Sequence, residues 1–159
     1  MKRLLTFALA TLVITSTSAA FAAADHSLGT WKLNPEKSKY SPGPLPVKSL
    51  TVVREAADNG VKVTNTGERS DGTAINTTYT AKFDGSPASL SGQGAPYDTV
   101  SLKQVNANTF TYETKNSATK YHASGKLVIS ADGKTMTMKA KGTDTNGKPM
   151  DVTLVYDKQ

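Results

Sequence analysis

Few residues of this chain are equipped for covalent chemistry. There are two histidines, His26 and His122, and no cysteine. The missing thiol excludes disulfide scaffolds, thiolate metal sites and cysteine nucleophiles at once. A metal centre needs several convergent ligands, and His26 has only a terminal amine to join it, on condition that the chain is cleaved after Ala23 with Phe21 badly placed at −3. No Ser, His and acid share a recognisable spacing and no nucleophile elbow occurs. Gly92-Gln93-Gly94 lacks the strand-to-helix setting of a phosphate loop. We therefore assign no catalytic residue and expect neither a metal nor a cofactor. What the chain does offer is binding chemistry. Arg69 and Asp98 are polar anchors, and Tyr79, Tyr112, Tyr121, Met136 and Met138 form an amphipathic and apolar wall.

The elements that must position these residues follow from turn chemistry. Asp58-Asn59-Gly60, Ser70-Asp71-Gly72, Asp84-Gly85-Ser86-Pro87, Asn106-Ala107-Asn108, Asp132-Gly133 and Asn146-Gly147 recur every eight to twelve residues and suit tight hairpins. Between them lie Val- and Thr-rich runs with period-two alternation, the pattern of strands with one buried face. Strands are predicted at 28–34, 47–55, 61–69, 74–84, 88–92, 97–105, 109–116, 119–131, 135–142 and 150–158. Helix is confined to a turn near Pro35 to Lys39. The fold class is all-β: an up-and-down meander of nine to ten antiparallel strands closed into a barrel, which removes exposed edges. Tyr40 to Pro46, with three prolines in seven residues, is predicted to be a stiff loop.

Alternation then sorts faces and ends. Leu50 and Val52 carry Arg54 inward, and Val61 and Val63 carry Asn65 and Arg69. Val100 and Leu102 take Asp98 and Gln104 with them. Trp31 and Arg54 fall at one end, while the Pro-rich loop, Arg69, Asp98 and the 92–96 loop fall at the other. The Trp31 end is expected to be closed, with the Arg54 guanidinium either over the indole, a contact worth ~0.5–2 kcal/mol, or snorkelling into water. The other end is the expected mouth, where a ligand's polar head meets Arg69. The competing expectation there is an Arg69–Asp98 ion pair over a filled core. His122 shares its face with Ser124 and Lys126 and reads as a surface histidine.

Gly29-Thr30-Trp31 at the start of the first strand, followed by a long loop and a hairpin meander, resembles the lipocalins and the wider calycin superfamily. The resemblance covers essentially the whole chain after its first 22 residues. More narrowly, the run from Gly29 to Asn34 (Gly-Thr-Trp-Lys-Leu-Asn), the run from Lys37 to Pro44 and the run from Ser130 to Thr135 resemble small secreted bacterial proteins. The superfamily resemblance implies a barrel whose Trp31 plugs the closed end beside an Arg or Lys near the end of the last strand, where this chain offers Lys158. Fatty-acid-binding relatives carry an inward Arg-x-Tyr on that strand, and Leu154-Val155-Tyr156 departs from it.

Residues 1–22 read as a signal peptide. Lys2 and Arg3 precede an apolar run, Leu4 to Ile14, that is shorter than the ~20 residues a membrane span needs. Ala20-Phe21-Ala22 supplies the small residues for cleavage before Ala23, and cleavage after Ala24 is also permitted. The domain is then residues 23–159, in the periplasm or secreted. The chain holds 19 Lys+Arg against 13 Asp+Glu, but the lysines are dispersed among Thr and Asp, unlike the clustered cations and aromatic platforms that bind nucleic acid. The expected partner is a small hydrophobic molecule, with no nucleic acid and no transmembrane segment, and the expected state is a monomer. An exported binding protein is thus the leading function. The alternatives are a cofactor-free isomerase- or lyase-type barrel enzyme using tyrosine, Arg69 and Asp98, and a structural module with a filled core.

Overall fold

The computed structural model describes residues 25–159, so the expected signal peptide and its cleavage positions lie outside the described residues. Twelve strands form one antiparallel sheet: β1 (Gly29–Leu33), β2 (Lys39–Ser41), β3 (Val47–Ala57), β4 (Gly60–Arg69), β5 (Ala74–Lys82), β6 (Asp84–Ser89), β7 (Ser91–Gln93), β8 (Thr99–Asn106), β9 (Thr109–Lys115), β10 (His122–Ile129), β11 (Thr135–Thr143) and β12 (Pro149–Lys158). The main path runs β6-β8-β9-β10-β11-β12-β1-β3-β4-β5-β7. The two ends of that path are one piece of chain, because β6 continues through Leu90 into β7, and β5, beside β7 in the sheet, bends through Phe83 directly into β6. Phe83 N–H donates to Asn59 O (2.9 Å) on one side of the bend, and Gln104 N–H donates to Phe83 O (3.1 Å) on the other. The meander thus returns on itself as a barrel.

Strand is present in all ten expected segments, but that expected at 88–92 divides at Leu90 into β6, which already begins in the turn read at 84–87, and β7, and β2 falls in a segment read as loop. Lys39–Ser41 pairs with β12 (Tyr40 opposite Val152), so Tyr40 belongs to a strand, and only the residues after Ser41 form the Pro-rich loop. The reason is local. β1 and β2 line the same edge of β12, interrupted by a 3-10 turn at Pro35–Lys37. Asn34 caps that turn by accepting from Lys37 N–H (3.2 Å), and proline at the first position suits it. Ser38 repairs the interruption, its Oγ accepting from Val155 N–H (3.0 Å) and donating to Asn34 O (2.7 Å).

Inward faces follow the alternation closely. Trp31, Val61, Val63, Ala81, Leu102, Phe110, Leu127, Ile129, Met136 and Tyr156 form the principal core. Gln104 is the exception on β8. It is exposed, because the β8–β9 pairing shifts register between Gln104 and Asn106 and the alternation ends there.

The Trp31 end is closed, and the cation over the indole is Lys158 of the last strand, not Arg54. Lys158 Nζ lies 4.9 Å from the Trp31 ring centroid, while the Arg54 guanidinium lies over Phe110, at 5.7 Å. Gly29 makes room for the lysine: its φ is +113°, and a Cβ there would press on Lys158 Cε. Neither does Arg54 snorkel outward, being 3% exposed. Residues 25–28 pack against this end, where the buried Ser27 carbonyl accepts from both Trp31 Nε1–H (3.1 Å) and Arg54 Nε–H (2.9 Å). Trp31 is fully buried. Trp31→Ala is expected to cost about 3–5 kcal/mol, the usual loss on emptying a packed aromatic site, in chemical denaturation at neutral pH. A midpoint unchanged from wild type would show that the indole is not the plug.

Candidate ligand-binding site

Two chambers occupy the barrel axis. The outer one, about 210 Å³, opens at the end carrying Pro46, Gly94 to Tyr97 and the Asp144–Thr145 turn. The inner one, about 50 Å³, is walled by Val52, Val63, Val100, Leu102, Leu127, Met136 and Tyr156, with Arg54 and Tyr79. Asn65, Tyr112 and Met138 line both and so form the waist between them.

The outer chamber exists because of residue sizes on one hairpin. On β10 and β11 the inward pairs towards the floor are Leu127 with Met138 and Ile129 with Met136, whereas those towards the mouth are Gly125 with Ala140 and Ala123 with Gly142. Four small residues cannot fill the space that Leu, Ile and Met fill lower down. Glycine also lets the strands press together, since a Cβ on Gly125 would run into the Lys139 carbonyl. A broad, open depression of about 810 Å³ on this hairpin is lined by Lys126, Lys139, Lys141 and Thr residues, with Gly125 and Ala140.

The expected site residues divide between the chambers. Tyr121 and Arg69 line the outer chamber, Tyr112 and Met138 the waist, and Tyr79 and Met136 the inner chamber. Asp98 lines neither. β8 begins only at Thr99, so the alternation that turned Asp98 inward stops one residue short of it. Its carboxylate instead accepts from Ser117 N–H (2.9 Å), Ser117 Oγ–H and Thr99 Oγ1–H (3.0 Å). The neighbouring Tyr97 takes the cavity side and lies against Tyr121, ring centroids 6.0 Å apart. The Arg69–Asp98 pair does not form. Arg69 sits at the rim, Nη1–H donating to Gly94 O (3.3 Å) and Nε 3.8 Å from Asp71. His122 is a surface residue as expected, 2.8 Å from Glu113.

Electrostatically the cavity is a ring of neutral phenols. Burial pushes the hydroxyls of Tyr79, Tyr97, Tyr112, Tyr121 and Tyr156 above the ordinary tyrosine range, and at Tyr97 and Tyr156 neighbouring phenols add to it. At Tyr79 the Arg54 charge opposes burial. At neutral pH these groups are uncharged hydrogen-bonding partners on an apolar wall. At the waist, Asn65 Nδ2–H donates to Thr77 Oγ1 (3.0 Å), so two buried polar side chains satisfy each other. The sequence reading missed Tyr97 and the mouth residue Tyr40, and it turned Met150 inward without including it among the site residues. The signal that was there to find the cavity is the switch from Leu, Ile and Met to Ala and Gly along β10 and β11.

No protein-family model matches the chain. No curated protein matches it either. Among solved structures, that of EF1p2_mFAP2b bound to DFHBI is similar with a TM-score of 0.49 at 12% identity, over 86% of this chain and 97% of that one. The redesigned β-barrel mFAP1 bound to DFHBI is similar with a TM-score of 0.45 at 14% identity, over 86% and 98%.

The placement of Asp98 makes a pH prediction. Its hydrogen bonds, that from the Ser117 side chain foremost, hold its carboxyl below the usual range. A carboxyl with a lowered folded value stabilises the fold above the unfolded value of about 3.9, and that contribution is lost as pH falls through the folded value. Asp98→Asn is therefore expected to melt below wild type at neutral pH, with the gap closing as the pH drops below about 4. A gap independent of pH would show that the carboxylate's charge plays no part in the turn.

Proposed function

We propose that this chain is an exported binding protein that holds one small, largely apolar molecule inside its barrel, admitted at the Pro-rich mouth. The observation that carries the reading is the outer chamber. It is walled by Tyr97, Tyr112, Tyr121, Met138 and aliphatic side chains, and below it lie the small inner chamber and a floor in which Trp31 and Phe110 are fully buried. Apolar surface left uncovered within an otherwise filled core costs stability, and a preformed cavity spares the bound complex part of its ordering cost. The rim is tied down as well: Arg69 holds Gly94, and Asn116 Nδ2–H donates to Pro96 O (3.1 Å). Irregular loops fixed on a rigid scaffold are where binding residues concentrate.

Export is supported by the sequence of residues 1–22, with its basic start, short apolar run and Ala-Phe-Ala close, and by the resemblance of the Gly29–Asn34 run to small secreted bacterial proteins. No helix among the described residues is long and apolar enough to cross a membrane.

Two outcomes are expected. Ala123 is 2% exposed and faces the outer chamber, so Ala123→Phe should fill it. Saturable binding of a neutral environment-sensitive dye, competed by members of a panel of fatty acids, quinones and phenolics, is expected for wild type. It should be lost in this variant at an overpacking cost of no more than about 1–3 kcal/mol. Absence of saturable binding by wild type, or binding indifferent to Ala123→Phe, would replace this reading with that of a structural module. Amino-terminal sequencing of the exported protein is expected to begin at Ala23, and retention of Met1 would remove the leader.

A further inference from the structure

We propose that the outward face of the sheet from β8 to β12, extended by β2, docks a linear acidic polysaccharide that lies across the strands on a row of four lysines. The proposal concerns the face opposite the core and does not depend on the cavity. Sheet register makes the row. Lys103 on β8 lies opposite Thr111 on β9, which lies opposite Lys126 on β10. Lys126 lies opposite Lys139 on β11, Lys139 opposite Thr153 on β12, and Thr153 opposite Lys39 on β2. Six strands at a spacing of ~4.8 Å give the row a length of about 24 Å. In the sequence no two of these lysines are neighbours, and only strand pairing brings them into line.

The acids near the row are engaged elsewhere. All four lysines are exposed, and none takes part in an ion pair among the described residues. In the adjoining row Glu113 holds His122 (2.8 Å) and Lys115 (3.1 Å), and Asp151 holds Lys141 (3.3 Å). Asp84 on β6 lies opposite Lys103 and closes the row, its carboxylate accepting from Ser86 N–H (2.8 Å). Lys126 and Lys139 therefore face each other as like charges, a cross-strand pair that costs stability by itself and that an anion laid over it would relieve.

Shape and the remaining side chains choose among polyanions. The row passes through the open depression of about 810 Å³, where Lys126, Lys139 and Thr153 stand among Ser124, Ser130 and Thr137. Hydroxyls between cations suit a chain that itself carries hydroxyls between its charges, since each can donate and accept. The lining has no aromatic ring and so lacks the stacking platform of a single-strand binder. Its cations are all lysines, point charges without the fork that arginine offers to phosphate. Val105 and Val128 are the large apolar side chains exposed among the described residues, too little apolar surface to enter a bilayer.

The test measures binding of a polygalacturonate decamer to the exported protein by calorimetry at an ionic strength of about 0.05 M, where screening is weak. Its methyl ester, an oligodeoxythymidylate of equal charge and vesicles of phosphatidylcholine with phosphatidylglycerol are compared. Saturable binding of the decamer is expected, with none of the ester, and it should be lost at about 1 M salt. Lys126→Gln with Lys139→Gln should weaken it about fivefold or more, the worth of two exposed charge contacts. Lys62→Gln with Lys82→Gln, the same charge change on β4 and β5, should leave it within about twofold. The row variant should also melt no lower than wild type, having lost a repulsion, and should bind the neutral dye as wild type does. Equal weakening by the two pairs of substitutions, binding of the ester as tight as that of the acid, or no binding of the decamer would each overturn the proposal and leave the cavity reading standing. Tighter binding of the oligonucleotide or the vesicles than of the decamer would also overturn it, assigning the row to that partner instead.

Discussion

Everything above the barrel floor depends on one carbonyl. The Ser27 oxygen accepts from the Trp31 indole and from the Arg54 guanidinium at once, which fixes residues 25–28 against this end of the barrel. A barrel end must be covered by something that satisfies its own backbone as it does so. Here a short segment achieves this with an Asx turn, Ser27 N–H and Leu28 N–H returning to Asp25. Lys158 reaches from the last strand to donate to His26 O (3.0 Å) and to cover the indole. First strand, third strand, last strand and amino-terminal segment are thereby joined in one buried cluster, and the bulk of the core is stacked upon it.

The upper half of the barrel is built on a different balance. Its sheet is as regular as the lower half's, with β10, β11 and β12 paired in unbroken register, yet its inward residues are too small to meet across the axis. Ala123, Ala140 and Met150 form a second, separate cluster with Tyr40, Tyr112, Tyr121 and Val152. The stability of the closed half is what lets the open half leave apolar surface uncovered, since native proteins have only a modest margin to lose. The tyrosines suit such a lining: each presents an apolar ring and a neutral hydroxyl, adaptable in hydrogen bonding and stiff in shape.

The turns at both ends of the barrel owe their order to short-range polar bonds instead of to burial. Asp71, Asp84, Asp98 and Asp132 each accept backbone or hydroxyl hydrogen bonds at a turn, and these bonds hold each carboxyl below its usual range. Such carboxylates compensate with local acceptors for the lack of apolar contacts at a loop tip. They also explain why the acidic side chains of this chain are structural at its turns and absent from the lining of the inner chamber.

The sequence by itself determined the barrel, since strand alternation and turn residues are local properties that read directly from residue type. It also determined which end holds Trp31 and Arg54 and which holds Arg69, because in a meander chain direction alone assigns ends. Tertiary structure decided the pairings. Which cation covers Trp31 depended on the register of β12 against β1, where Trp31 lies opposite Lys158, and register is a long-range quantity. Asp98 left the site and Tyr97 joined it because a strand began two residues later than the pattern suggested, and a strand's first residue is set by its neighbour's hydrogen bonds. The cavity was written in the small residues of β10 and β11, but only the closed barrel, bringing the opposite wall to its actual distance, turned small side chains into empty volume.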